Sequence, residues 1–308
     1  MVFDFDAAVG APFRMQPGLR RLAAGALQLT PAAPGGRHMR EKLAVLSAFA
    51  GQALLVAPGF DAGPALQALV DQALREHPAL LRLDGGQLQA IQLGVGVDGD
   101  RLVELRAGTF GLGNELARCL QQLPAGWRLA GLLSLVFAED FAVIDGDGRI
   151  PWLAVTLPSH WAPETKIGRR FHEVHAPVAD NALLLNAADA LARTVTSDQP
   201  WERFVWNITD HPRLHAHPER VSKPRWQHTA PANAWWRTER QTFIPVPGQR
   251  QAVFTIQVDL TPLAQAVRAP GRAQRLHAAV ASMTPAVLAY RGLCTVRDPL
   301  LQWLAEQP

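Results

Sequence analysis

Three times along the chain, two extended, apolar-rich segments flank a short turn built from Asp, Gly or Pro. Gln87 to Val97 and Arg101 to Thr109 flank Asp98-Gly99-Asp100; Leu132 to Ile144 and Ile150 to Leu157 flank Asp145-Gly-Asp-Gly148; Trp236 to Pro245 and Ala252 to Leu260 flank Pro247-Gly248. Glycine accepts the positive φ that tight reversals demand, so each pair predicts an antiparallel hairpin. A doubly wound parallel sheet needs a crossover after every strand and does not suit this pattern. Hairpins interspersed with helices predict an α+β fold around an antiparallel sheet.

The helical signals are Leu66, Leu69, Val70 and Leu74 between Gly63 and His77, a run stopped by Pro78. Asn114 is a candidate cap for a helix through Leu123, and Asp180 or Asn181 starts one through Leu183, Leu184, Ala187 and Leu191. Further helices are expected near Pro262 to Val267, Ala273 to Ala281 and Asp298 to Ala305. Residues 1–40, rich in Pro, Gly and Arg, predict an irregular arm; 60–260 hold the sheet; 261–308 form a C-terminal helical segment. The expectation is one domain over 1–308, without an internal repeat.

At 308 residues, 48% apolar and 19% charged, the chain can bury a substantial core. Only Lys42, Lys166 and Lys223 among the 30 Lys and Arg are lysines, leaving 30 − 3 = 27 arginines. These cations are scattered among acids, so no nucleic-acid footprint is present. Cys119 and Cys294 match neither a disulfide framework nor CxxC spacing. The opening Met-Val-Phe-Asp-Phe-Asp lacks the basic segment of an export signal. The apolar stretch Leu43 to Pro58 is interrupted by Ser47, Gly51 and Gln52 and is shorter than the ~20 residues a bilayer requires. A cytoplasmic protein without membrane contact is expected.

Gly94-Val-Gly96-Val-Asp-Gly99 has the letters of a dinucleotide fingerprint, but the alternating Arg101-Leu-Val-Glu-Leu-Arg after it is a strand pattern where that motif needs a helix. It reads as a hairpin turn. Residues 151 to 240 hold seven of nine tryptophans and seven of ten histidines. That crowding suits either a large aromatic core or an aromatic-walled pocket for a metal or planar cofactor. His215-x-His217, with His211 nearby, could present two nitrogens to zinc, but Pro212 and Pro218 make this segment a loop, without a further ligand at zinc spacing. His160 and His172 flank the Trp161 to Gly168 segment. His175, between Val174 and Ala176 and shortly before Pro177, is either a satisfied core histidine or the immobile neutral imidazole that a transition metal requires.

Leu157-Pro-Ser-His-Trp-Ala-Pro-Glu-Thr-Lys-Ile-Gly168, followed by Val174-His175-Ala-Pro177-Val178, resembles the alpha subunit of the heme-dependent oxidative N-demethylases. Pro12-Phe-Arg14, Glu139-Asp140, Val205-Trp-Asn-Ile208, Arg237-Thr-Glu-Arg-Gln-Thr242, Phe254-Thr-Ile256 and Tyr290-Arg-Gly292 extend the likeness over essentially the whole chain. Ala179 stands where that pattern has a second Pro, and Trp206-Asn207 is transposed relative to it. The resemblance implies a PAS-like α/β core binding heme b through one axial histidine, here His175. It also implies oxidation of a small secondary or N-methyl amine such as dimethylamine by O2, with release of formaldehyde and electrons from a separate reductase subunit. A heme-binding gas or redox sensor without oxidase activity is the alternative.

Under that resemblance Trp161, Lys166 and Arg237 are candidate cofactor-binding residues, with Lys166 a propionate partner or a surface charge. Glu239 is a candidate holder of an ammonium group, while Arg240 and Gln241 are candidate donors to bound oxygen, Arg240 alternatively pairing with a propionate. Strand alternation puts Arg237, Glu239 and Gln241 on one face and Thr238, Arg240 and Thr242 on the other. At most one of these sets lines the pocket unless the strand bulges; the bland reading is a charged ladder on an exposed hairpin.

Overall fold

The computed structural model describes residues 3–106, 114–175, 179, 180 and 182–308, with the backbone alone for 175, 183 and 184. Its strands are β1 (Arg20–Arg21), β2 (Leu54–Val56), β3 (Leu81–Asp84), β4 (Gln87–Ala90), β5 (Val95–Asp98), β6 (Arg101–Glu104), β7 (Glu139–Asp145), β8 (Trp152–Ala154), β9 (Trp201–Thr209), β10 (Trp235–Pro245) and β11 (Gln251–Pro262). Seven of them form one antiparallel sheet in the order β1-β9-β10-β11-β7-β8-β2, and β3 to β6 form a four-stranded meander. The fold is α+β, built on a large antiparallel sheet with several helices.

The third expected hairpin is the spine of this sheet: β10 and β11 pair over eleven positions from Trp235↔Pro262 to Pro245↔Ala252, reversing at Gly248 with φ +71°. In the second, Asp145 Oδ1 accepts the Asp147 and Arg149 amides and Gly148 takes φ +73°. A side chain at Gly148 would lie 3.2 Å from Ala192 Cβ and 3.6 Å from Phe171 Cβ, so this turn is also where the helices Phe171–His175 and Ala188–Val195 seat on the sheet.

Two expectations need correction. Leu132 to Val136 belongs to a helix, Arg128–Val136, and the strand begins only at Glu139. An uninterrupted apolar run serves either state; here Ala130 to Val136 are all buried, and Gly131 lets Leu120 and Leu123 of the neighbouring segment approach closely. Gln87 to Val97 is two strands, separated by a turn in which Gly94 has φ +69°. The far end of its partner, Thr109, lies outside the described residues. Asn114 precedes the helix Glu115–Gln122 but makes no side-chain cap bond.

The large sheet has two unlike faces. One carries Trp152, Phe141, Val143, Val253 and Ile244 against the helices Arg37–Ala53, Gly63–Glu76 and Arg128–Val136, and Trp206, Ile208 and Trp236 against the C-terminal helices Arg272–Ala281, Pro285–Arg291 and Arg297–Ala305. The opposite face carries Ala142, Phe254, Ile256, Val258 and Phe243 and is covered by Leu157, Trp161, Ile167, Val195 and Leu214. Among the described residues no helix is long and apolar enough to cross a membrane.

Candidate functional site

The second face is the candidate site, because the chain brings its unusual residues there through loops. Glu139-Asp140 opens β7, an interior strand between β11 and β8. Asp140 Oδ1 accepts the Thr156 hydroxyl at 2.7 Å and Oδ2 the Leu157 amide at 2.6 Å, fixing where the Leu157–Trp161 segment leaves β8. The carboxylate is buried and pairs with the fully buried Lys42 at 3.1 Å, whose Nζ also donates to the Glu139 carbonyl at 2.5 Å. A buried charge needs such a partner plus hydrogen bonds on its remaining lone pairs.

Arg237 fixes the far end of the same segment. Its Nε donates to Ser159 Oγ at 2.8 Å, Nη1 to the Arg213 carbonyl at 3.0 Å, and Nη2 to the carbonyls of Leu214 (2.8 Å), Pro158 (3.3 Å) and Leu157 (3.4 Å). The guanidinium thus ties the loop 157–160 to the loop 211–217, which also meet in the Ser159↔Ala216 bridge. Burial lowers its pKa to about 10. As placed, Arg237 organises the site's walls, each of its three nitrogens donating to one of the two loops.

Beyond Ser159 the chain turns sharply, with His160 at φ +63°. Its ring faces that of His211, centroids 5.3 Å apart. His211 Nδ1 accepts the Arg213 amide, which leaves the proton on Nε2. Nε2 of both rings is buried without a hydrogen-bond partner. Burial, then Arg225 and Arg237, pushes the His160 pKa down to about 3; burial, opposed by Asp210 and assisted by Arg237 and Arg225, takes His211 down to about 4. Both imidazoles are neutral near pH 7.

The remaining loop histidines are otherwise engaged. His215 Nδ1 donates to the Thr156 carbonyl at 2.6 Å. His217 is buried, with Nε2 3.1 Å from Glu164 Oε1 and Nδ1 accepting the Glu219 amide. Glu164, His217 and Glu219 bring potential ligand atoms within 4.8 Å of one another. Both nitrogens of His217 already have hydrogen-bond partners, so this cluster is a satisfied network.

Past His160, Trp161 packs on Leu157, Phe254, Ile256 and Val258. Lys166 Nζ donates to the Val174 carbonyl at 3.3 Å, and burial lowers its pKa. His175 ends the helix Phe171–His175; its side chain lies outside the described residues, as do residues 176–178. The segment then reaches Asp180, whose carboxylate accepts the Thr284 hydroxyl at 2.6 Å at the start of Pro285–Arg291. The described backbone thus ends one stretch at His175, beside the Gly148 turn, and resumes at Ala179 and Asp180 against the start of Pro285–Arg291.

On the strand itself the expected alternation holds, and it separates the candidate residues. Glu239 and Gln241 share the Arg237 face, joined by a 2.6 Å bond from Gln241 Nε2 to Glu239 Oε2. Arg240 points into the opposite face, bonded to Glu202 at 2.9 Å and to the Leu27 carbonyl at 2.9 Å. It shares no pocket with Glu239 and Gln241.

Arg203 completes the face and was not read from the sequence. It stands directly across from Gln241 in the β9–β10 register. The alternation Arg203-x-Val205-x-Asn207 was its only signal, obscured because β9 is mixed on both faces. Burial lowers its pKa, while Glu239 and then Tyr290 act in the other direction. Tyr290, the only tyrosine of the chain and 51% exposed, thus lies within electrostatic reach.

The crowded tryptophans divide. Trp206 stacks on Trp236 and Trp152 on Trp127, all four in or against the opposite core, while Trp161 and Trp201 flank the site face. A cavity of about 390 Å³ between Arg37–Ala53 and Glu115–Gln122, lined by Arg40, Ser47, Arg118 and Cys119, is open to solvent and holds none of the motif residues.

The segments that build the site face, from Asp140 through the Leu157–His175 run and β9 to β11 to Tyr290, fall inside one stretch that matches a known protein family. The sequence profile described as "Haem-dependent oxidative N-demethylase, alpha subunit-like" matches residues 118–301, well over half of the chain, and the chain belongs to that family.

Proposed function

We propose that this chain is a heme-dependent monooxygenase that removes a methyl group from a small secondary or N-methyl amine. One molecule of O2, two electrons and two protons convert the N-methyl amine to the demethylated amine, formaldehyde and water, with the electrons supplied by a separate reductase subunit. Family membership across every segment of the site face carries the reading. The antiparallel sheet is in keeping with a PAS-like core.

The residues present fit a heme b. Its apolar plate would suit Phe254, Ile256, Val258 and Trp161, which Leu157 and Leu214 cover in this structure, and its anionic edge would suit the buried Nε2–H of His211, which has no partner among the described residues, with Lys166 a second candidate. His175 is the residue that would hold the iron, as the resemblance implies; it lies two residues before Pro177, which stiffens the chain there. Heme, when bound, supplies the activation of dioxygen.

The chain's own contribution is binding, orientation and exclusion of water. Glu239 is the proposed partner of the substrate nitrogen, and the Gln241 amide holds its carboxylate in one orientation. The aliphatic side chains of Val205 and Val258, its partners across the two neighbouring strands, limit solvent around that contact. Arg237, by fastening both covering loops, keeps the wall in register with the strand.

The test is turnover. Full-length protein loaded with hemin and given a reducing system should release formaldehyde from dimethylamine or another small N-methyl amine. A folded, heme-loaded protein that consumes no amine under any electron supply would point to a sensor.

A further inference from the structure

The charges on the site face do not suit a simple amine. Arg203 opposes Gln241 across the strand pair, and Glu239, opposite Val205, is its diagonal neighbour. Directly opposed Cβ atoms lie roughly 5 Å apart and diagonal ones about 7 Å, within reach of two long side chains. Glu239 nevertheless takes its hydrogen bond from Gln241. Among the described residues the Arg203 side chain has no hydrogen bond or ion pair, and its Nε is buried without a partner.

A guanidinium cannot escape this by losing its proton. Arg203 is half-buried, with only its Nε shut off from water, and an acceptor reaching that Nε and a terminal nitrogen together would complete it. The nearby acids do not complete it: Asp140 is paired with Lys42, and Asp210 with Arg225. Along this stretch of the face Arg203 and Arg237 supply two positive charges against one from Glu239. A dimethylammonium ion would add a third cation and leave Arg203 unsatisfied.

We propose that the substrate is a zwitterion, an N-methylated amino acid, with its carboxylate on Arg203 and its N-methylammonium group on Glu239. The fork of a guanidinium matches a carboxylate with two parallel hydrogen bonds. In an α-amino acid a single carbon separates the two charges, which suits an acid and a base held side by side on one face without closing on each other. The exposed phenol of Tyr290 is available at the rim as a further donor to the carboxylate. His160 and His211 adjoin Arg237, which at a 3.3 Å rise lies about 7 Å along the strand from Glu239 and about 13 Å from the Gln241–Arg203 row, so the carboxylate end of the pair is the one farther from the donors assigned to the heme edge.

The inference rests on the reading of this face as an amine-oxidising site, and the test separates the two. Heme-loaded, full-length protein is titrated with N-methylglycine, dimethylamine and acetate by calorimetry and at the Soret band. N-methylglycine should bind at least tenfold more tightly than dimethylamine. Arg203→Met should remove that preference, at least tenfold in N-methylglycine affinity, with heme content unchanged and dimethylamine affinity no weaker than in the wild type. Arg203→Lys, which keeps the charge and loses the fork, should fall between. Dimethylamine binding as tightly as N-methylglycine, or loss of heme from Arg203→Met, overturns the zwitterion and leaves the amine-oxidising reading standing. Failure of both amines to bind overturns both readings. The wild-type comparison decides the matter if Arg203→Met does not fold.

Discussion

Arg237 and Glu239 project from the same face of β10, two residues apart, and do opposite work. The guanidinium is closed off by a hydroxyl and four carbonyls from two loops, whereas the carboxylate is held by the Gln241 amide and is only half-buried. A framework residue and an open one thus alternate on a single strand, and variants at the two positions should fail in different ways.

Arg237→Met removes the donors of five buried or part-buried contacts while leaving their acceptors in place. Unsatisfied buried acceptors cost about 1–3 kcal/mol each, partly offset by relief of the cation's own burial. We expect a net loss of roughly 3 kcal/mol in chemical denaturation and weakened heme retention. A loss below about 0.5 kcal/mol, the level of an ordinary surface substitution, would show that the loops do not depend on this clamp.

Glu139→Gln should acquire near wild-type behaviour in acid and improved stability in base. Burial, opposed by the Thr30 amide and hydroxyl and by Lys42, raises the Glu139 pKa from 4.5 to about 7. The folded state therefore holds a proton that the unfolded state releases above pH 4.5. Stability from this group is full below 4.5 and lost as pH rises to about 7, a drop on the order of 3 kcal/mol. Melting curves at pH 5 and pH 8 check this, and an identical decline in Glu139→Gln would assign the slope to other groups.

His160 and His211 act in the other direction. Their pKa values of about 3 and about 4, below the ordinary 6.5, mean that the unfolded chain binds protons first. Their contribution is complete above pH 6.5 and is lost as pH falls toward 4. Replacing both with amides, His160→Asn because asparagine tolerates positive φ and His211→Gln, should flatten the stability profile between pH 4 and 6.5. An unchanged acid midpoint would mean that these imidazoles are not neutral in the native protein.

Glu239→Gln keeps the shape of the side chain and removes its charge. It should retain heme and its spectrum and lose most affinity for amines, at least tenfold by titration at the Soret band. Unchanged amine affinity would remove Glu239 from the substrate site.

The parts of the fold legible in the sequence are those where backbone chemistry dominates. Pro247-Gly248 and Asp145-Gly-Asp-Gly148 reverse the chain by their own preferences, so both turns stand where expected. The helix Gly63–Glu76 is likewise set by its apolar spacing and by Pro64 in its first turn. The helix Arg37–Ala53 has no side-chain cap at Gly36 and is kinked at Phe49, so it escaped notice. At the site, alternation separated Arg240 from Glu239 and Gln241, but Arg203 emerged only once pairing set β9 against β10. Cross-strand register is a long-range property, and nothing local in Trp201–Thr209 announces it.

The central claim is that the covered face binds heme through His175, and the absorption spectrum of the full-length protein tests it most directly. Wild-type protein supplied with hemin should show a Soret band that shifts on dithionite reduction and again with carbon monoxide, with iron near one per chain. His175→Ala should lose that band while its far-ultraviolet circular dichroism stays unchanged. A folded wild-type protein that takes up no hemin, or a His175→Ala spectrum indistinguishable from wild type, would contradict the account.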